Sequence, residues 1–118
     1  MKYGMIVDDS EIMRIRLREI LEPICTIKAE ASDGLSAIPL YKQFLPDFVT
    51  LDISMPQMND LEALQQILLI NPAAKIVIVS AVGQKQIFFE ALRLGATDFI
   101  VKPFEPERVI KAFTRLFE

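Results

Sequence analysis

The sequence predicts an α/β domain built on a doubly wound, five-stranded parallel sheet. Five short runs rich in apolar and β-branched residues recur at regular intervals along the 118 residues, and amphipathic stretches of helical length separate them. The run from Ile76 to Val79 is apolar at every position, which is typical of a strand buried on both faces. Strands of this kind that alternate with helices form parallel sheets with helices on both faces, in a (βα)5 arrangement.

Each strand and helix has its own signal in the sequence. The strands are predicted at Tyr3 to Val7, Thr26 to Ala31, Phe48 to Leu51, Lys75 to Ser80 and Asp98 to Val101. The helices are predicted at Glu11 to Leu21, Leu35 to Phe44, Leu61 to Ile70, Lys85 to Leu94 and Pro106 to Phe117. Ser10 is the expected N-cap of the first helix, and Gly95 is expected to close the fourth. Pro39 conflicts with the second helix, because an interior proline removes a hydrogen bond, so we expect a kink or a late start there.

The composition bounds the possible functions. A chain of 118 residues with 52% hydrophobic content is the size of one domain, spanning 1–118. Its net charge of −3 disfavours direct nucleic-acid binding, which depends on clustered lysine and arginine. The single cysteine, Cys25, cannot form an internal disulfide, and neither a signal peptide nor a membrane span is apparent, so we expect a cytoplasmic protein with no membrane insertion. Without histidine, its chemistry must use carboxylates, hydroxyls and lysine.

Polar residues stand at four of the predicted strand ends. Asp8 and Asp9 follow the first strand, Asp52 the third, Ser80 closes the fourth and Lys102 follows the fifth. In open α/β sheets, sites form outside the carboxyl ends of the strands. Three carboxylates at one edge need a compensating cation, and an all-oxygen cluster is what Mg²⁺ prefers. The sequence therefore predicts a Mg²⁺ site here.

The same residues predict phosphoryl transfer to a carboxylate. Asp52 is the better nucleophile, because a middle strand places it between the acidic pair and Lys102. The metal and the lysine ammonium would neutralise the phosphoryl oxygens, and the Ser80 hydroxyl would hydrogen-bond the transferred group. Asp8 and Asp9 are the expected metal ligands.

Four stretches of the chain resemble the receiver domains of two-component response regulators, and within them the single-domain chemotaxis regulators of the CheY type. They are Ile6 to Ser10, Asp52 to Asn59, Ser80-Ala81 and Gly95 to Phe104. The order and spacing of these stretches are highly specific, and the resemblance covers essentially the whole chain. It implies the flavodoxin-like strand order 2-1-3-4-5. Val82-Gly83-Gln84 also resembles certain CheY-type sequences, which favours chemotaxis.

The resemblance implies roles for individual residues. Asp52 would accept a phosphoryl group from the phosphohistidine of a histidine kinase, and the backbone carbonyl of Ser54 would join Asp8, Asp9 and Asp52 around Mg²⁺. Ser80 and Lys102 would contact the phosphoryl oxygens. Such a protein is a phosphoacceptor switch that takes part in its own phosphorylation and dephosphorylation, and is not otherwise an enzyme.

Two further features follow from the resemblance. Phe99 would be the aromatic residue that changes position on activation, and Lys102-Pro103 would be a cis peptide bond, which only X-Pro bonds readily allow. The chain departs from the usual pattern at Asp60, where glycine is common, and at Pro39. It also departs in the stretch from Leu21 to Gly34, which is one residue shorter than usual and lacks the glycine common before the second strand.

The fourth helix predicts a partner surface. Its apolar residues form an arc wider than a surface helix needs to face its core. They are Ile87, Phe88, Phe89, Ala91, Leu92 and Leu94. Part of that arc must be exposed, and we choose Phe88 as the exposed residue. The predicted partner face comprises the fourth helix, the fifth strand with Phe99 and the fifth helix, and its target is the flagellar motor switch or another protein. We expect the receiver itself to be a monomer.

Other functions fit the sequence less well. A phosphorelay intermediate, or a receiver excised from a longer response regulator, would carry the same residues. A haloacid-dehalogenase-like phosphatase also uses a strand-end aspartate with Mg²⁺, but it needs an Asp-x-Asp pair, whereas Asp8 and Asp9 are adjacent. A nucleotide-binding module needs a glycine-rich loop after the first strand, where the acidic pair would repel phosphate.

Overall fold

The structure, a computed structural model, describes residues 2–53 and 59–118. Five strands and five helices alternate along the chain. The strands are β1 (Tyr3–Val7), β2 (Thr26–Ala31), β3 (Phe48–Asp52), β4 (Lys75–Ala81) and β5 (Asp98–Lys102). The helices are α1 (Glu11–Leu21), α2 (Gly34–Phe44), α3 (Asn59–Ile70), α4 (Lys85–Leu94) and α5 (Pro106–Leu116).

The strands form one parallel sheet in the order β2-β1-β3-β4-β5, as predicted. Side chains of the central strands alternate between two apolar layers. Met5, Leu51 and Ile78 pack on one face against α2, α3 and α4. Ile6 and Val79 pack on the other face against α1 and α5. Burial on both faces explains why β1, β3 and β4 are largely apolar runs without alternation.

The predicted helix signals are present in the structure. The Ser10 side chain accepts a hydrogen bond from the Met13 N–H and caps α1, and Gly95 adopts φ 119° at the end of α4. The expected late start of α2 is wrong, because Asp33 caps a helix that begins at Gly34 and runs through Pro39. Pro39 lies on the exposed face of α2, where water can replace the bond that the proline removes. A kink at Pro39 stays a prediction.

Several boundaries differ by one or two residues from those predicted. Strands β3, β4 and β5 each extend one residue further, so Asp52 and Lys102 are still within the sheet. Helix α3 begins at Asn59, two residues earlier than predicted, and α5 ends at Leu116. The second strand, which follows the shortened stretch, pairs with β1 through a register shift between Gly4 and Met5.

The Lys102-Pro103 peptide bond is cis, as the resemblance implied. Within residues 2–53 and 59–118, no helix is long and apolar enough to cross a membrane.

Candidate functional site

Three carboxylates converge at the carboxyl edge of the sheet. Val7 pairs with Leu51 in adjacent parallel strands, so the next residues along each strand, Asp8 and Asp52, stand side by side. One carboxylate oxygen from each of Asp8, Asp9 and Asp52 lies within 4.8 Å of the other two. Asp8 and Asp52 are buried and Asp9 is exposed, so the cluster opens to solvent on the Asp9 side. The sequence-predicted acidic residues are therefore brought together.

Lys102 contacts two of these carboxylates. Its Nζ lies 3.2 Å from Asp8 Oδ2 and 3.3 Å from Asp52 Oδ2. The lysine reaches this position because the last pairs of β4 and β5 are Ser80 with Val101 and Ala81 with Lys102. Its side chain is 18% exposed, which places the ammonium inside the edge of the site.

The environment of Asp8 disfavours its charged form. Burial raises the pKa of the Asp8 carboxyl above its usual value, and the neighbouring Asp52 carboxylate raises it further. The Ser10 N–H, which donates to Asp8 Oδ1 at 2.9 Å, and the Lys102 ammonium both oppose that rise in pKa. A buried carboxylate whose pKa is raised gains most from a cation that restores its charged form.

The donor set fits a hydrated divalent cation. Among the described residues, three carboxylates face one ammonium, which leaves two negative charges for a cation to balance. All available donor atoms are oxygens, the ligands that Mg²⁺ prefers, and the exposed Asp9 side leaves room for the waters that Mg²⁺ retains. The predicted fourth ligand, the Ser54 carbonyl, lies outside the described residues.

Ser80 takes its position from the register of β3 and β4. Asp52 pairs with Val79, so Ser80 lies one residue further along the neighbouring strand, toward the carboxyl edge. Its side chain is buried, at 2% exposure. A pocket of about 180 Å³ adjoins it, lined also by Val82, Phe88 and Val101.

The aromatic residues of α4 and β5 are arranged differently from the sequence expectation. Phe89 is the exposed ring, at 61%, whereas Phe88 is half-buried, so the choice of Phe88 as the exposed residue is wrong. The Phe88 ring lies 4.3 Å from the Phe99 ring and 5.0 Å from the Phe89 ring. Helical spacing alone could not separate neighbouring positions of so wide an apolar arc, because the direction of the core depends on how α4 packs.

Two arginines beside these groups were not predicted as functional. Arg14 of α1 donates to the backbone carbonyl of Asp8 at 2.6 Å. Arg108 of α5 donates to the Phe99 carbonyl at 2.5 Å, with its guanidinium 5.5 Å from the Phe99 ring centre. Contacts from side chain to backbone carry no sequence signature beyond the residue type, so no pattern pointed to them.

Comparison with known proteins assigns this fold and site to a family. A family model described as the response regulator receiver domain matches residues 5–114. The chain therefore belongs to the receiver domains of two-component response regulators, and the predicted fold and family are confirmed.

Relatives match over nearly the full length. The chain is 44% identical over 116 residues to the chemotaxis protein CheY of Thermotoga maritima, covering 98% of this chain and 97% of that protein. It is 49% identical over 113 residues to the protein CcdB of Bacillus subtilis, covering 95% and 94%.

A solved structure shows the same fold. A chain in the crystal structure of a CheX–CheY–BeF3–Mg complex from Borrelia burgdorferi superimposes with a TM-score of 0.91 and 33% identity, covering 99% of this chain and 90% of that chain. The single-domain, CheY-type resemblance seen in the sequence is thereby confirmed.

Proposed function

We propose that this receiver accepts a phosphoryl group on Asp52 and passes the signal to a target protein, in chemotaxis. The observation that carries the proposal is the contact of Lys102 Nζ with both Asp8 and Asp52, at 3.2 and 3.3 Å. A lysine so placed offsets the charge of the acidic site, and it would meet the oxygens of a phosphoryl group arriving at Asp52.

The transfer step uses a carboxylate oxygen of Asp52 as the nucleophile. That oxygen forms a bond to phosphorus while the P–N bond of the kinase phosphohistidine breaks, and the electron pair of that bond returns to the imidazole. Lys102 stabilises the charge on the phosphoryl oxygens, and the Ser80 hydroxyl donates a hydrogen bond to one of them. Apart from this self-modification and its reversal, the chain is proposed to have no enzyme activity.

The proposed Mg²⁺ ligands are Asp8, Asp9, Asp52 and the Ser54 carbonyl. When bound, the cation neutralises carboxylates and phosphoryl oxygens that would otherwise repel each other. Support comes from the donor set and from the B. burgdorferi structure, whose name includes Mg and BeF3.

The proposed switch links Ser80 to the aromatic residues. When Ser80 moves toward the phosphoryl group, the pocket beside it, lined by Phe88 and Val101, changes shape. The Phe99 ring packs on Phe88, which lines that pocket, so in the proposed switch the two rings move together. The switch therefore alters α4 and β5 together.

The partners follow from this arrangement. A histidine kinase supplies the phosphoryl group, and α4, β5 and α5 form the proposed face for the target, which is the flagellar motor switch or another protein. The exposed Phe89 ring, which stacks on Phe88, offers an additional apolar contact on α4. We further propose that residues 1–118 act as one receiver domain, as a monomer in the cytoplasm.

The experiment is phosphorylation with a small phosphodonor. Incubation with acetyl phosphate and Mg²⁺, followed by peptide mass spectrometry after borohydride reduction, is expected to locate the adduct on Asp52 and to lose it in EDTA. Asp52→Asn is the control variant. Labelling of Asp8 or Asp9 in the unmodified protein, with Asp52 unlabelled, would contradict the proposal.

A role outside chemotaxis is the alternative. A phosphorelay intermediate, or a piece of a longer regulator, would share the site, and one relative at 49% identity has a name that is not that of a chemotaxis protein. A phosphorelay intermediate would return its phosphoryl group to a histidine-containing phosphotransfer protein. Incubation of the labelled receiver with such a protein distinguishes the two roles.

A further inference from the structure

We infer that Arg14 is a positioning residue that holds the acidic pair in place for the divalent cation. Arg14 stands in the second turn of α1, and its side chain is 18% exposed. Its Nη1 donates to the Asp8 carbonyl oxygen at 2.6 Å, while its Nε lies 3.2 Å from Glu30 Oε1 on β2. One guanidinium thus connects β2, the edge strand beside β1, to the backbone of a proposed ligand. The inference rests on the proposed Mg²⁺ site.

A bond to the Asp8 carbonyl oxygen holds the peptide plane that joins the two acidic residues, because that oxygen belongs to the plane. That plane also contains the backbone nitrogen and Cα of Asp9, so its orientation determines where the Asp9 side chain starts. The Asp8 N–H, on the other side, donates to the Ala31 carbonyl at 3.0 Å. Both backbone groups of Asp8 are therefore tied to the rest of the fold.

Asp9 depends on this support more than Asp8 does. Asp8 is buried and its carboxylate already contacts the Ser10 N–H and Lys102. Asp9 is exposed, and within the described part of the chain no side chain bonds its carboxylate. Partners beyond the direct ligands typically hold ligands in orientation at metal sites, and their loss lowers affinity.

Arg14 is itself held by a line of ion pairs. Glu30 Oε2 lies 2.7 Å from Arg18 Nε, and Arg18 Nη1 lies 2.9 Å from Glu22. Arg18 thus shares Glu30 with Arg14, but among the described residues its side chain bonds only Glu22 and Glu30 and not Asp8. This makes Arg18 a matched control, since its loss removes a charge from the same carboxylate without touching the acidic pair.

Positioning and simple electrostatics predict opposite results for Arg14→Met. A positive charge beside a cation site opposes cation binding, so if Arg14 acted only through its charge, its removal would tighten Mg²⁺ binding. If Arg14 positions the acidic pair, its removal weakens Mg²⁺ binding, by about 10-fold for a supporting residue of this kind. The sign of the change therefore decides between the two.

The test is titration of the metal-free protein with MgCl2 by isothermal calorimetry, with melting curves in EDTA to verify folding. Arg14→Met is expected to bind Mg²⁺ about 10-fold more weakly than the unmodified protein, and Arg18→Met within about twofold of it. Arg14→Lys keeps the charge but has one ammonium for two partners, so it is expected to bind more weakly than the unmodified protein and more tightly than Arg14→Met. Arg14→Lys also provides the test of Mg²⁺ affinity if Arg14→Met does not fold.

Three outcomes overturn the inference: equal or tighter binding by Arg14→Met, unchanged binding by Arg14→Lys, or an equal loss in Arg18→Met. Absence of Mg²⁺ binding by the unmodified protein would instead count against the proposed function. The two failures are therefore distinguishable.

Discussion

The Phe88 ring packs on the Phe99 ring, with 4.3 Å between centroids and 33° between planes. Of these two rings, Phe88 is the one that lines the pocket beside Ser80. Phe99 is also held by Arg108, which donates a hydrogen bond to its carbonyl and lies over its ring. A side chain of α4 therefore lies both against the pocket beside Ser80 and against the Phe99 ring of β5.

The first prediction concerns this contact. Phe88→Ala is expected to leave labelling of Asp52 by acetyl phosphate within about twofold of the unmodified protein, since Phe88 does not touch the carboxylates. It is expected to reduce the difference in target affinity between the phosphorylated and unphosphorylated forms, because the contact of Phe88 with Phe99 is lost and a change at Ser80 then has less effect on β5. Target binding is measured with and without acetyl phosphate.

Phe89→Ala is the comparison variant, since Phe89 is the exposed ring of the stacked pair and, unlike Phe88, is not among the residues that line the pocket beside Ser80. It is expected to weaken target binding in both states by a similar factor. A Phe88→Ala variant that keeps the full affinity difference would show that Phe88 does not couple Ser80 to β5.

The second prediction concerns Lys102, whose ammonium contacts Asp8 and Asp52. In EDTA, Lys102→Met is expected to lower the free energy of unfolding by about 1–3 kcal/mol, because two buried carboxylates lose their cationic partner. Saturating Mg²⁺ is expected to reduce this difference in the free energy of unfolding between the variant and the unmodified protein, since the cation then balances the charge of the carboxylates. Urea unfolding of both proteins, with and without Mg²⁺, measures the two differences. An equal gap in both conditions would show that Lys102 and the cation do not serve the same carboxylates.

The sequence predicted which residues form the site better than it predicted the exposure and contacts of the helix residues around the site. The reason is physical. Asp8, Asp52 and Lys102 stand at strand ends, and in a parallel sheet all strand ends of one kind meet at one edge, so position along the chain implies proximity. The exposure of Phe89 and the reach of Arg14 depend on how α4 and α1 pack, which periodicity leaves open. Pro39 misled for a similar reason, since its cost depends on whether the affected turn faces water.

The third prediction concerns the free cysteine. Burial, with a smaller contribution from Glu22, raises the pKa of the Cys25 thiol to about 11. The raised pKa reduces the thiolate fraction at pH 8, and the side chain is only 4% exposed, so iodoacetamide is expected to modify native Cys25 far more slowly than the unfolded chain. Mass spectrometry after alkylation, with and without urea, measures the ratio. Equal rates would contradict the burial of Cys25.

The fourth prediction concerns Thr50, a buried polar residue in the middle of β3. Its side chain is 3% exposed and its Oγ1 has no hydrogen-bond partner among the described residues. Thr50→Val replaces the hydroxyl with a methyl group of similar size among Leu21, Val77 and Ile100. It is expected to stabilise the protein by about 1 kcal/mol, which is roughly a 4 °C rise in Tm at this chain length.

Thr97→Val is the matched control for this change, because the Thr97 hydroxyl accepts a hydrogen bond from the Ile76 N–H at 3.0 Å. Its removal leaves a donor in the sheet without that partner and is expected to lower the free energy of unfolding by about 1–3 kcal/mol. The two Thr→Val changes should therefore move Tm in opposite directions in the same melting experiment. A lower Tm for Thr50→Val would contradict the prediction, because it would mean that the hydroxyl contributes more to stability than the methyl that replaces it.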